Sequence, residues 1–272
     1  MRNHFMNSIW LGLAALVFAP VILAQTPASL GPGRAGGPGP ATARGTPDLS
    51  GVYDRPGVDR EAPGGPGAAA NPDRRRGVPP RQVFTMEDPP MQPWALEKFK
   101  VARQGIPDIY QSGRDDLDPS YNCFPPGPTR VFSDPRPFEI RQFPDQVLML
   151  FESDHWVQRI FMDGRGHPEN YPITWMGHST GKYEGDTLVV DTVNINDQTW
   201  LDSLGHPHSD ALHVVERYRR NQNMLEIEFL FDDLKAYTKS WTGKKVYQLM
   251  KPGYEIMEHV NCEEYLELGN AR

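Results

Sequence analysis

Six of the eight histidines fall between residues 155 and 213: His155, His167, His178, His206, His208 and His213. Imidazole is the side chain that gains and loses a proton near neutral pH, so this enrichment points to acid–base work or to metal ligation. The densest stretch is Gly205-His-Pro-His-Ser-Asp-Ala-Leu-His213. Its His-x-His lacks the acidic ligand that such a metal motif needs a few residues on, and His213 stands there instead. Pro207 between the two imidazoles favours a turn over a strand. The residues therefore read as an acid–base set of His178, His208 and His213, with Asp202 or Glu216 orienting an imidazole. Arg159 or Arg217 would bind an anionic group, and Trp156, Trp175, Trp200 and Tyr218 would line an apolar pocket. A zinc, copper or iron site on His206, His208 and His213 is the metal-dependent alternative. No cofactor is expected, because the chain has no Walker loop, no Rossmann fingerprint and no His-Glu-x-x-His.

Gly177-His-Ser-Thr-Gly181 matches the G-x-S-x-G nucleophile elbow. That motif needs a strand before it and a helix after it. A turn signal, Glu184-Gly-Asp186, follows, and then a β-branched run from Thr187. An elbow does not fit, and the chain has none of the strand–helix alternation of an α/β-hydrolase.

The elements that must hold these groups are strands. From Phe138 onward, short runs rich in β-branched and aromatic residues alternate with turn signals. The runs cover 138–143, 146–152, 156–163, 176–183, 187–195, 212–220, 224–232, 239–250 and 254–262. Nine strands with no long helix between them predict an antiparallel meander. Such a meander hides its edges by closing, so the expected fold is a mainly β, lipocalin-like β-barrel with room for one small ligand. A β-sandwich is the alternative. One short helix is predicted at 93–105, with Pro93 at its first position and Gly105 just past its end. The residues 200–213 make a long, polar connection with two apolar anchors, Trp200 and Leu201. They are expected to fold over the barrel mouth and bring His208 and His213 to His178 and Glu216.

Residues 1–24 read as a secretory signal: Arg2, an apolar run from Ile9 to Ala24, and a small residue before Gln25. The run is short for a membrane span, so no integral membrane association is expected after cleavage. A periplasmic or secreted location follows. In that compartment Cys123 and Cys262 are expected to pair as a disulfide. Residues 25–86 are rich in proline and glycine and read as a disordered arm, with Pro47-Asp-Leu-Ser-Gly-Val-Tyr53 as an island able to dock as a short strand. Residues 87–272 would form the barrel domain. The net charge of −7 argues against nucleic acid as a partner.

A long string of segments makes the chain resemble a large group of secreted bacterial proteins of acidobacterial and proteobacterial type. These are Asp163-Gly-Arg-Gly-His-Pro168, Thr174-Trp-Met-Gly-His-Ser179, Tyr183-Glu-Gly-Asp-Thr-Leu-Val-Val-Asp-Thr192, Thr199-Trp-Leu-Asp202, the histidine-rich stretch, and Glu216-Arg217. Pro47-Asp-Leu-Ser-Gly51, Pro93-Trp-Ala95 and Cys123-Phe-Pro-Pro-Gly-Pro-Thr-Arg130 extend the likeness upstream. Tyr183 stands where the group has Trp, and Val193-Asn-Ile-Asn196 replaces a Gly-Phe-Asn type. The resemblance implies a β-rich domain that handles a small molecule, and brings no catalytic residues with it. The functional expectation is a cofactor-independent lyase, isomerase or hydratase acting on a small apolar or aromatic compound. A lipocalin-like carrier of a hydrophobic ligand is the rival reading.

Overall fold

The computed structural model describes residues 45–57, 83–107 and 111–258. Nine strands close into one barrel in chain order. They are β1 (Gly51–Asp54), β2 (Phe138–Gln142), β3 (Gln146–Phe151), β4 (Val157–Phe161), β5 (His178–Glu184), β6 (Thr187–Val193), β7 (His213–Asn221), β8 (Met224–Asp232) and β9 (Trp241–Leu249). Helix α1 (Pro93–Ala102) lies where the proline and glycine signals put it, and a single turn, α2 (Gly127–Arg130), precedes β2.

Alternation decides the faces, because successive side chains point to opposite sides of a strand. In β8, Leu225, Ile227, Phe229 and Phe231 are fully buried, while the residues between them are half-exposed. β7 presents Val214, Glu216 and Tyr218 to the same interior and turns Val215, Arg217 and Arg219 outward. Arg217 there pairs with Glu184 across the outer wall.

Three features differ from the sequence expectation. First, β4 and β5 run parallel, and they pair only at Ile160↔Ser179 and Phe161↔Thr180; every other pair is antiparallel. A parallel pair cannot be joined by a hairpin. The chain spends residues 162–177 returning to the other end of the barrel, and that return builds the site described below.

Second, the barrel is closed by β1, which pairs with β2 on one side and β9 on the other. This strand lies inside the 25–86 segment expected to be an arm, at the island 47–53, which docks as the short strand expected of it. Val83 and Phe84 of the same segment are also buried. The barrel domain therefore begins well before residue 87. The strand expected at 254–262 does not form in its described part, 254–258. Residues 1–24, Cys262 and the rest of the arm lie outside the described residues.

Third, the interior is filled rather than hollow. Phe132, just after α2, packs inside against Phe138, Phe151 and Phe229 with ring centroids 5.2 to 5.6 Å apart. Phe84 enters beside β9, with its ring 4.6 Å from Phe229 and 5.0 Å from Phe231. Gly243 makes room for it, since a Cβ there would stand 2.3 Å from the Cβ of Phe84. The Phe84 carbonyl accepts from Lys244 N–H, so this segment occupies part of the β9 edge that short β1 leaves uncovered.

Candidate functional site

The wall of the barrel is parted where β4 and β5 share only two residue pairs. A cavity of about 460 Å³ opens there. Trp156, Phe161, Tyr171 and Trp175 give it aromatic walls, and Arg159, Gln158, Ser179 and His178 give it polar groups. The crossing segment is fixed to the exit of β6: Thr174 N–H donates to the Asn194 carbonyl, the Thr174 carbonyl accepts from Asn196 N–H, and the Asn194 side chain donates to the Tyr171 carbonyl. Trp175 stacks on Phe124 with centroids 5.4 Å apart. Gly177, at φ +68, lets the chain turn into β5, where a Cβ would lie 2.7 Å from the Val193 carbonyl oxygen.

His178 opens β5 on the outer face and is almost fully buried under Tyr171 and Phe161, whose rings lie 4.6 and 5.3 Å away. Its Nδ1 is 2.7 Å from His167 Nδ1. His167 Nε2 is 2.9 Å from Asp191 Oδ1, and His213 Nε2 is 3.0 Å from the same oxygen. With His167 neutral, the chain of bonds fixes the protons. A carboxylate only accepts, so His167 and His213 both carry hydrogen on Nε2. Neutral His167 then has a bare Nδ1, which accepts from His178 Nδ1–H. His178 is left with a bare Nε2, which makes no hydrogen bond among the described residues.

The electrostatics agree with that assignment. Burial, reinforced by the charge of Arg165, pushes the pKa of His178 below the ordinary imidazole value. The hydrogen bond that His213 donates to Asp191 raises that of His213. Burial alone would raise Asp191, but its bonds to His213 and His167 outweigh that and hold the carboxyl below its usual value. A neutral imidazole with a free lone pair, backed by a carboxylate, is fit to take a proton.

Behind the cleft, inside the barrel, lies a second polar group. Gln158 Nε2 donates to Ser179 Oγ at 3.2 Å and reaches Glu216 Oε2 at 3.5 Å. Tyr218 donates its hydroxyl to the same Oε2 at 3.1 Å, and Ser179 and Thr192 share a bond of 2.8 Å. Glu216 is fully buried, and burial raises its pKa to about 8 against the bonds from Tyr218 and Gln158. Among the described residues its partners are Tyr218 and Gln158 and not an imidazole, contrary to the expected role.

The other expected residues lie elsewhere. Residues 200–209 are buried, but against α1 rather than over a mouth: His206 stacks on Phe99 with centroids 4.2 Å apart. His206 Nδ1 bonds Asp202 at 2.7 Å, and Tyr237 donates to the Pro207 carbonyl. His208 is buried between the Thr199 hydroxyl and the Ser209 carbonyl. Asp202 does orient an imidazole, but one outside the cleft lining. Trp200, Tyr218 and Arg217 do not line the cleft either; Trp156, Trp175, Arg159 and His178 do. His206, His208 and His213 have separate partners. Among the described residues no group of three His, Cys, Asp or Glu side chains could hold a metal ion. Ser179 lies in a strand, its hydroxyl tied to Thr192 and Gln158, and no helix follows it.

Sequence reasoning missed Asp191, His167, Gln158 and Tyr171. Asp191 carried a signal: it is the one charged residue in the apolar run Thr187-Leu-Val-Val-Asp-Thr-Val193. The chain matches no family model, none of the curated proteins and none of the solved structures with which it was compared.

Proposed function

We propose that the protein binds a small apolar or aromatic compound in the β4–β5 cleft and transforms it by cofactor-independent acid–base chemistry, as a lyase, isomerase or hydratase. His178 Nε2 is the base. The observation that carries this is the imidazole itself: it lines an aromatic cleft, and its other nitrogen is tethered through His167 to Asp191. As Nε2 takes a proton from the bound compound, the positive charge spreads through Nδ1–H toward His167, where Asp191 stabilises it. Returning the proton to another atom completes an isomerisation, and expelling a neighbouring group completes an elimination. Arg159, exposed at the rim, faces whatever anionic group the compound carries.

The test is His178→Gln. Loss of a general base lowers turnover by roughly 10²- to 10⁴-fold, while affinity for the compound is retained. Asp191→Asn acts through His167 and shifts the pH profile of turnover. The aromatic walls support a second reading, a carrier of hydrophobic ligands. In a carrier, His178→Gln leaves the only measurable property, affinity, unchanged, and no product forms.

Secretion, cleavage after Ala24 and a Cys123–Cys262 disulfide belong to the same proposal. Alkylation of the native, unreduced mature protein separates the outcomes: unmodified cysteines support the bridge, and two labelled thiols overturn it.

A further inference from the structure

Among the described residues that line the cleft, Arg159 is the only one with a fixed charge. That charge is unmatched. Every other described arginine has an acidic group or a carbonyl oxygen within hydrogen-bond or ion-pair distance. The Arg159 guanidinium has neither among the described residues. No described carboxylate lines the cleft to balance it. Arg165, whose guanidinium lies over the Phe161 ring, is already matched by Asp163.

The strand register says where the free charge stands. Ile160 pairs with Ser179 in the parallel ladder. One residue back along each strand, Arg159 is level with His178. Arg159 lies on the exposed face of β4, and it borders the same cavity as the imidazole and the rings of Trp156, Tyr171 and Trp175.

A bare guanidinium beside apolar walls favours an anion, and its shape says which. Its planar fork of N–H donors matches the two oxygens of a carboxylate. A phosphate carries more charge on more oxygens, and no lysine or second arginine among the described residues lines this cavity to meet it. In open water an exposed ion pair contributes little. A ring seated among the aromatic walls would shield this one from solvent and so strengthen it.

We propose that the cleft selects small aromatic carboxylates, the ring seated among Trp156, Tyr171 and Trp175 and the carboxylate held by Arg159 beside the base. This rests on the reading of the cleft as the ligand site and names the ligand class for it.

The test compares benzoate with benzamide, planar probes of the same shape that differ in charge, by ligand-observed NMR on the intact chain near neutral pH. Benzoate is expected to bind roughly tenfold more tightly at low salt, the margin of one charge-assisted pair. Arg159→Gln removes the charge from an exposed position and should bring the ratio to about one without weakening benzamide. The wild-type protein gives a second readout. Raising the ionic strength from about 0.01 M to about 1 M shortens the screening length from about 30 Å to about 3 Å, and the ratio should fall, because benzoate alone is charged. Equal affinity of the two probes for the wild type, a preference that survives Arg159→Gln, or one blind to salt overturns the carboxylate anchor and leaves the role of His178 intact. If neither probe binds, the cleft is not the ligand site, and the functional proposal falls with the inference.

Discussion

Burial acts on Glu216 and His178 in the same way, favouring the neutral form of each, and so moves their pKa values in opposite directions until their order is reversed. The consequence for stability is testable at Glu216. Its folded-state value of about 8 lies above the ordinary 4.5, so the folded protein holds this proton more tightly than the unfolded chain does. The stabilisation is complete below the unfolded value and is lost as pH climbs through the folded one. The slope is roughly 1.4 kcal/mol per pH unit within that window. Glu216→Gln cannot titrate, so the variant should gain on the wild type steadily between pH 5 and pH 8. Urea unfolding at four pH values measures the gain, and parallel curves would contradict a buried neutral acid. His178 gives the complementary prediction: turnover rises with pH as the imidazole deprotonates, with a midpoint below the ordinary 6.5. A midpoint above that value in the pH dependence of kcat/KM would remove His178 as the base. His213, raised by Asp191, is still protonated at a pH where His178 has already lost its charge.

The strand faces were legible because alternation is a local property, and β8 shows it residue by residue. Strand direction is not local. The runs at 156–163 and 176–183 look alike whether the second returns antiparallel or crosses over. Only the length of the segment between them gave a cue, since hairpin loops of more than about five residues are uncommon. The cleft follows from that crossover, which is why His178 could be named from sequence and its partners Asp191 and His167 could not. The histidine-rich connection misled for a related reason. Trp200 and Leu201 did find apolar surroundings, but not at a barrel mouth: Trp200 lies beside Gly205, next to Ala102 of α1, and Leu201 joins the core. Phe84 was hidden by its proline- and glycine-rich surroundings, though it fills the interior beside Gly243. Phe84→Ala should cost about 3–5 kcal/mol, the range for emptying an aromatic site. A loss under about 1 kcal/mol in denaturant unfolding would mean that the segment seals nothing.

Closure of the whole barrel depends on its shortest strand. β1 has four residues and joins β2 to β9, the two strands that would otherwise be edges. Its hold is not only the ladder. Leu49 and Tyr53 are fully buried, and the Tyr53 hydroxyl donates to the Leu49 carbonyl at 2.9 Å. Gln142 of β2 accepts from Leu49 N–H, donates to the Pro47 carbonyl and donates to the Tyr183 hydroxyl of β5 at 2.7 Å. Segment 45–57 thus contributes core, seam and polar ties at once. Removing residues 1–57 should therefore leave β2 and β9 as long unpaired edges, which invite pairing with other chains. The expected outcome is self-association in size-exclusion chromatography and a broadened, lower thermal transition. A synthetic peptide of residues 45–57 added in trans should bind by strand addition, restoring the monomer and raising the transition temperature in proportion to the logarithm of its concentration once saturating. A peptide with Tyr53 and Leu49 both replaced by Ser keeps the backbone ladder but loses the buried side chains, so it should rescue poorly. If the truncated chain stays monomeric and melts like the full-length protein, the barrel does not need β1, and its closure is a consequence of the fold rather than a cause of its stability.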